Sequence, residues 1–134
     1  MKKNLLSAIL GLTIVLFTVS CSKSDTTPAP AITPPAGTTW VGLTTNLGPS
    51  RYFSLTFNNG GTLTVKANDP ATPDIANGTW ALVADSVKAT YTYVVSATTY
   101  SLAGKYSSSA TVIVGTLGPG NNTTGAGTFS VTKQ

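Results

Sequence analysis

The sequence predicts an all-β fold, most simply an eight-stranded antiparallel up-and-down β-barrel. After its first third the chain is dominated by Thr, Val, Tyr and Phe, and turn residues recur every eight to twelve positions. Strand-forming runs separated by such turns are typical of all-β domains. After the leading segment, no stretch has the period of an amphipathic helix.

The predicted strands occupy eight short runs, at about 38–46, 51–58, 62–68, 77–84, 86–95, 99–107, 110–117 and 126–133. Short connections between consecutive strands favour a meander that closes into a barrel. A two-sheet β-sandwich is the alternative, but it usually needs longer crossing connections. Only residues 69–76 offer one.

The register of one hairpin follows from its apolar residues. They alternate along both strands and comprise Phe53, Leu55, Phe57, Leu63, Val65 and Ala67. A two-residue loop would place the two apolar rows on opposite faces, whereas a three-residue loop over 59–61 sets Phe57 near Leu63. That loop type needs a glycine in the left-handed conformation, which Gly61 supplies.

A second hairpin lies within residues 86–107. Its apolar rows fall on one face only if the loop between the strands has an even number of residues. Gly104 would then leave room for a facing aromatic ring, which we expect to be Tyr91.

Residues 1–20 have the pattern of a secretory signal peptide. Lys2 and Lys3 give a cationic start, and an uncharged run over 5–20 follows. That run is short for a spanning helix, which needs roughly 20 residues. We therefore expect an N-terminal signal helix.

Cys21 is the only cysteine and follows directly after Thr-Val-Ser. This arrangement resembles the lipobox of bacterial lipoproteins, and the resemblance implies that Cys21 is lipidated and anchors the mature chain in a membrane. A free thiol and an uncleaved anchor are the alternatives. The thiol is disfavoured because an exposed unpaired cysteine is a liability in an oxidising compartment.

Residues 21–36 are predicted to be a Pro/Thr/Ser-rich tether. Its prolines favour an extended path of roughly 3.1 Å per residue, so it could hold a domain tens of ångströms from a membrane. The start of this segment, CSKSD, also resembles that of lipoproteins from Bacteroidetes-type bacteria. We expect an outer-membrane lipoprotein, with the periplasmic or surface-exposed side left open.

Composition disfavours several functions. Removal of Lys2 and Lys3 with the signal lowers the formal net charge from +4 to +2. The remaining basic residues are scattered along the sequence. Because nucleic-acid binding needs a concentrated basic surface, no nucleic acid is expected as a partner. The chain has no His and no Glu. A Ser-His-Asp triad and an imidazole-bound zinc are therefore impossible, and we expect no enzyme, catalytic residue or cofactor.

The segment 37–134 carries Gly78-Thr79-Trp80, a related run from Gly37 to Trp40, and a terminal GTFSVTK. Together with the meander, these features resemble small lipoproteins with a lipocalin-like (calycin-like) barrel. The resemblance implies a binding barrel and identifies no ligand.

Aromatic residues are the candidates for packing and for binding. Core positions are expected at Trp40, Phe53, Phe57, Trp80, Tyr91 and Phe129, because an eight-stranded barrel can be filled by its own side chains. Tyr93, Tyr100 and Tyr106 lie nearer strand ends, where they could line a barrel mouth and stack on a sugar or lipid ring, or form a wet rim. The candidate ligand-binding residues are Trp80, Tyr91, Tyr93, Tyr100 and Tyr106.

The segment NDPATPD offers oxygen ligands at Asn68, Asp69 and Asp74. Calcium needs six to eight oxygens, so we expect a solvated turn and no metal site.

Two functional classes remain open. The barrel is either a binding module for a small hydrophobic or glycan ligand, or a structural or interaction domain that meets a protein partner, including as an enzyme inhibitor. A hollow barrel with an aromatic mouth would favour the first class. A filled barrel with an apolar or Thr-rich outer face would favour the second.

Lipidation of Cys21 is directly testable. Cells fed an alkyne-tagged fatty acid should yield a labelled chain, because lipidation attaches acyl chains at Cys21. Several chains are needed for firm anchoring, since each buried acyl methylene contributes roughly 0.8 kcal/mol. A wild-type chain without label would contradict the prediction.

Overall fold

The computed structural model describes residues 33–46 and 48–134, so the predicted signal helix, Cys21 and most of the tether lie outside the described residues. Its strands are β1 (Thr38–Asn46), β2 (Arg51–Phe57), β3 (Thr62–Asn68), β4 (Asp74–Val83), β5 (Ser86–Tyr93), β6 (Thr99–Lys105), β7 (Val112–Pro119) and β8 (Gly127–Lys133). Each strand pairs antiparallel with the next, and β8 pairs with β1 to close the barrel. The predicted up-and-down barrel is confirmed. No described helix is long and apolar enough to cross a membrane.

The hairpin between β2 and β3 has the predicted register. Phe57 pairs with Leu63, and the amide of Asn58 donates to the carbonyl of Thr62 at 2.9 Å, which leaves a three-residue loop. Gly61 has a φ of 78°, the left-handed conformation that this loop requires. The alternation of apolar residues was therefore sufficient to fix this turn.

The hairpin between β5 and β6 has an even-length loop, as predicted. Tyr91 pairs with Tyr100, and the amide of Tyr93 donates to the carbonyl of Thr98 at 3.0 Å, so the loop comprises residues 94–97. Both apolar rows therefore face the interior.

The predicted partner of Gly104 was wrong. A Cβ atom at this position would lie 2.9 Å from Cζ of Phe129 and 2.7 Å from Cγ2 of Ile113, so the ring above Gly104 belongs to Phe129 and not to Tyr91. Gly115, which pairs with Gly104, also lies under this ring, with an added Cβ 2.7 Å from Cε1 of Phe129. The glycine pair makes room for a ring from β8.

The connection between β3 and β4 is shorter than the sequence suggested. β4 begins at Asp74, so only residues 69–73 link the two strands. The carboxylate of Asp69 accepts a hydrogen bond from the amide of Ala71 at 2.8 Å and closes this tight turn. A connection of this length returns the chain to the neighbouring strand, as a meander requires.

The centre of the barrel is filled by its own side chains. Trp40, Phe53, Phe57, Tyr91 and Phe129 are buried, as expected. The other large side chains that are fully buried are aliphatic, namely Leu55, Leu63, Val65, Val87, Leu102, Ile113, Leu117 and Val131. Trp80 is half-buried and packs against this core. The filled barrel is therefore the form that the structure shows.

The two ends of the barrel differ. At one end, the closed end, the hydroxyl of Tyr106 donates to the carbonyl of Thr33 at 3.0 Å, and the amide of Thr33 donates to the hydroxyl of Ser108 at 2.7 Å. Pro35 is buried there. The other end, the open end, is formed by the connections β1–β2, β3–β4, β5–β6 and β7–β8. The chain thus enters the barrel at the end opposite these four connections.

Gly104→Val should destabilise the barrel by about 1–3 kcal/mol, because its side chain would displace Phe129 and Ile113 from a packed interior. Ala103→Val is the matched control, since Ala103 lies next to it on the same strand and faces outward. Urea unfolding followed by circular dichroism measures both. Equal stability of the two variants would contradict the assigned position of Phe129.

Candidate functional site

Three tyrosines meet near the open end. Tyr91 and Tyr93 are two residues apart on β5 and so point to the same, inner face, and strand pairing places Tyr100 of β6 opposite Tyr91. The Tyr93 and Tyr100 rings are perpendicular, with centroids 6.1 Å apart and an interplanar angle of 86°. Tyr91 stacks on Tyr100 at 6.2 Å and meets Tyr93 edge-on at 5.8 Å. The sequence predicted all three as candidates, and the structure brings them together.

The three rings differ in depth. Tyr91 is only 2% exposed and lies beneath the other two, which are half-buried. Burial is the main cause that raises the pKa of the Tyr91 hydroxyl far above its ordinary value, with smaller contributions from Tyr93 and Tyr100. Burial, followed by Tyr100 and Asp74, raises the pKa of Tyr93 to about 12. Both phenols are therefore neutral hydrogen-bonding groups at physiological pH.

A cavity of about 270 Å³ opens beside the rings of Tyr93 and Tyr100, the two upper rings, and we call this cavity the mouth. It combines two aromatic rings with two aliphatic side chains, two amides, two hydroxyls and one carboxylate. The lining residues are Asn46, Asn68, Asp74, Ile75, Tyr93, Val95, Ser96, Thr98 and Tyr100. Such a surface has both an apolar face and hydrogen-bonding groups, the combination typical of small-ligand sites.

The polar side of the mouth is held by a short chain of hydrogen bonds. Nη1 of Arg51 donates to the side-chain oxygen of Asn68 at 3.4 Å, and the side-chain amide of Asn68 donates to the carboxylate of Asp74. Asn68 has a φ of 72°, a left-handed conformation that Asn tolerates better than most residues. This turn therefore orients the Asp74 carboxylate at the edge of the mouth.

The side-chain oxygens of the turn between β3 and β4 accept hydrogen bonds from groups within or beside the turn. Asp69 bonds the backbone of its own turn, and Asp74 is bonded by Asn68. Among the residues that the structure describes, no group of three or more His, Cys, Asp or Glu side chains is placed to hold a metal ion.

Trp80 and Tyr106 lie at the other end of the barrel. Nε1 of Trp80 donates to the carbonyl of Asn58 at 3.2 Å, and its ring meets Phe57 edge-on at 5.3 Å. The ring of Tyr106 lies 6.1 Å from that of Trp40. Tyr106 lies six residues after Tyr100, about 20 Å away along an extended chain at 3.3 Å per residue. These two candidates lie at the closed end, and neither lines the mouth.

A second cavity, of about 470 Å³, is a groove on the outside of the barrel. The loop after β7 forms its wall, because the hydroxyl of Ser101 donates to the carbonyl of Gly120 at 2.7 Å. Polar and apolar groups contribute about equally to the groove, and its polar lining residues are Thr79, Lys88, Thr90, Ser101, Asn121 and Thr123. Trp80 borders it, while its indole packs against Phe57 inside the barrel. The groove lacks the two-ring corner that distinguishes the mouth.

Sequence reasoning missed the loop residues of the mouth. Val95 and Ser96 belong to the loop between β5 and β6, Thr98 follows that loop, and Asn46 ends β1. The even loop length beside Tyr93 was the only signal for the first three. Nothing in the sequence predicted a role for Asn46, because only closure of the barrel places it in the same cavity as Tyr93 and Tyr100.

Alkaline pH should destabilise the protein. The pKa of Tyr93 is higher in the folded than in the unfolded chain, so its contribution to stability is present below about pH 10 and is lost as pH rises towards 12. We expect a loss of about 1–2 kcal/mol from Tyr93 by pH 12, allowing for solvent screening at this half-buried site. Urea unfolding at a series of pH values measures it.

Tyr93→Phe should reduce this alkaline loss. Tyr52→Phe, on the outer face of β2, is the control and should leave the loss in place. An unchanged pH dependence in Tyr93→Phe would argue against a buried neutral phenol at this position.

Comparison of the chain with models of known protein families, with curated proteins and with solved structures gives no match. Function must therefore be inferred from the residues of the mouth and from the character of the leading segment.

Proposed function

We propose that this chain is an exported lipoprotein whose barrel is a non-catalytic binding module, and that the ligand docks at the mouth and not inside the barrel. The observation that carries this proposal is the perpendicular pair of Tyr93 and Tyr100 beside the carboxylate and amide edge formed by Asp74 and Asn68. Beneath this pair the interior is packed. A ligand can therefore reach the rings but cannot pass below them.

The chemistry of the mouth favours a sugar ring. Sugars have an apolar face that stacks on tyrosine and a rim of hydroxyls that bonds to carboxylates and amides. The volume of about 270 Å³ is close to the lower limit of roughly 300 Å³ for drug-sized ligand pockets. The mouth therefore suits one ring of a larger glycan. An acyl chain or a pigment would need a hollow interior, which the packed core does not provide.

The direction of the mouth is consistent with an anchored protein. Thr33 docks at the closed end, so a tether that leads from a lipidated Cys21 would approach the barrel from the side opposite the mouth. The mouth would then face away from the membrane and towards glycans in the surrounding space. Lipidation, outer-membrane location and the lipocalin-like relationship are parts of this proposal that the sequence motivates.

A protein-interaction function is the second candidate, and the outer face of the barrel supports it. Leu43, Val112 and Val114 are 54%, 43% and 56% exposed. They lie on β1 and β7, on either side of β8, where pairing places Ser130 between Leu43 and Val114. Isolated exposed apolar residues are ordinary, but neighbouring ones are typical of interaction surfaces.

Glycan binding is tested by thermal-shift and glycan-array screening, followed by calorimetry with the best glycan. Tyr93→Ala and Tyr100→Ala should each weaken binding about tenfold, because stacking on an aromatic ring contributes on the order of 1 kcal/mol and each variant also opens the corner. Tyr52→Ala removes a ring from the outer face and should have no effect. If no glycan binds, or if both mouth variants bind as well as the wild type, the proposal is wrong.

The second candidate predicts a different outcome. Capture of a defined envelope protein that is lost in Leu43→Asp and Val114→Asp, but kept in Tyr93→Ala, would favour an interaction domain.

A further inference from the structure

Of the described residues that line the mouth, Asp74 is the charged one. Among the described residues, an ion pair joins Nζ of Lys105 to Oδ2 of Asp85 at 2.7 Å. This pair lies beside the β4–β5 turn, at the end of the barrel opposite the mouth. Arg51 approaches the same edge, but its guanidinium bonds the side-chain oxygen of Asn68 and not Asp74. Among residues 33–46 and 48–134, no basic side chain pairs directly with the carboxylate of Asp74.

The two upper rings add to this negative character. The face of a tyrosine ring carries partial negative charge and attracts cations, whereas its edge is partly positive. Because Tyr93 and Tyr100 are perpendicular, a group in their corner meets the face of at least one ring. Asp74 is also close enough to contribute to the raised pKa of Tyr93, so its charge acts within this corner.

We propose that the mouth selects saccharides that carry a protonated amine, with the sugar against Tyr93 and Tyr100 and the ammonium group at Asp74. This inference rests on the proposed function and adds the sign of the ligand's charge. Its chemical basis is that an ammonium group gains from both the carboxylate and the ring faces, while a neutral sugar gains only from stacking and hydrogen bonds. A uronic acid places a second negative charge beside Asp74 and is disfavoured.

Three matched probes test the preference: the β-1,4-linked dimer of glucosamine, its N-acetylated form, and a disaccharide that contains glucuronic acid. Chemical-shift titration of the full chain in a polyoxyethylene detergent avoids competition from detergent sugars. We expect the amine to bind about 5- to 10-fold more tightly than the neutral dimer, and the acid to bind most weakly. The advantage of the amine should shrink as salt is raised, because exposed charges are screened.

Asp74→Asn should bring the affinities of the amine and neutral probes to within about twofold of each other, because only the amine loses a charged partner. The variant keeps an oxygen that can accept the hydrogen bond from Asn68. Asp69→Asn is the matched control, since Asp69 lies in the same turn, bonds the backbone of Ala71 and does not line the mouth. It should keep the preference for the amine.

The outcomes separate this inference from the proposed function. Binding of the three probes without a charge preference, or a preference that survives in Asp74→Asn, overturns the inference and leaves the glycan-binding mouth standing. Failure of every glycan to bind overturns both.

Discussion

Closure of the barrel by the pairing of β1 with β8 is the constraint on which the rest of the structure depends. It joins the first and last strands of the sequence, with Gly42 opposite Val131. A Cβ at Gly42 would collide with the backbone of Ser130, so the glycine permits this close approach. Closure removes the two edges that an open sheet would expose, and it forces the inner faces of all eight strands to share one small volume.

That small volume is filled by side chains. Large rings from distant strands converge in it, and Phe129 and Phe53 meet at 5.8 Å. A barrel packed in this way has no room for a deep cavity at its centre, and its packed interior supports the side chains above it. The tyrosines of β5 and β6 are therefore supported from below at the open end. Such support would lower the entropic cost of ordering these side chains on binding.

The sequence was most informative where one strand meets its neighbour. Strand-forming residues and recurring turns predicted the eight strands, and alternation of apolar residues fixed the hairpin in which Phe57 opposes Leu63. It failed for Gly104, whose covering ring comes from β8, because alternation describes a pair of strands and not contacts across a barrel. Tyr93 and Tyr100 could be placed together from their hairpin. The separation of Tyr106 and Trp80 from them depends on strand direction, and the polar edge at Asp74 depends on how the β3–β4 turn folds.

The even number of strands has a consequence for how such a protein can diversify. Thr33 and Gln134 both lie at the closed end, where the amide of Gln134 donates to the carbonyl of Thr39 at 3.0 Å. Four hairpin connections form the opposite rim, so substitutions and length changes there lie away from both Thr33 and Gln134. Under the proposed function, recognition and attachment lie at opposite ends of the barrel, and a new specificity would require changes in no more than a few loops.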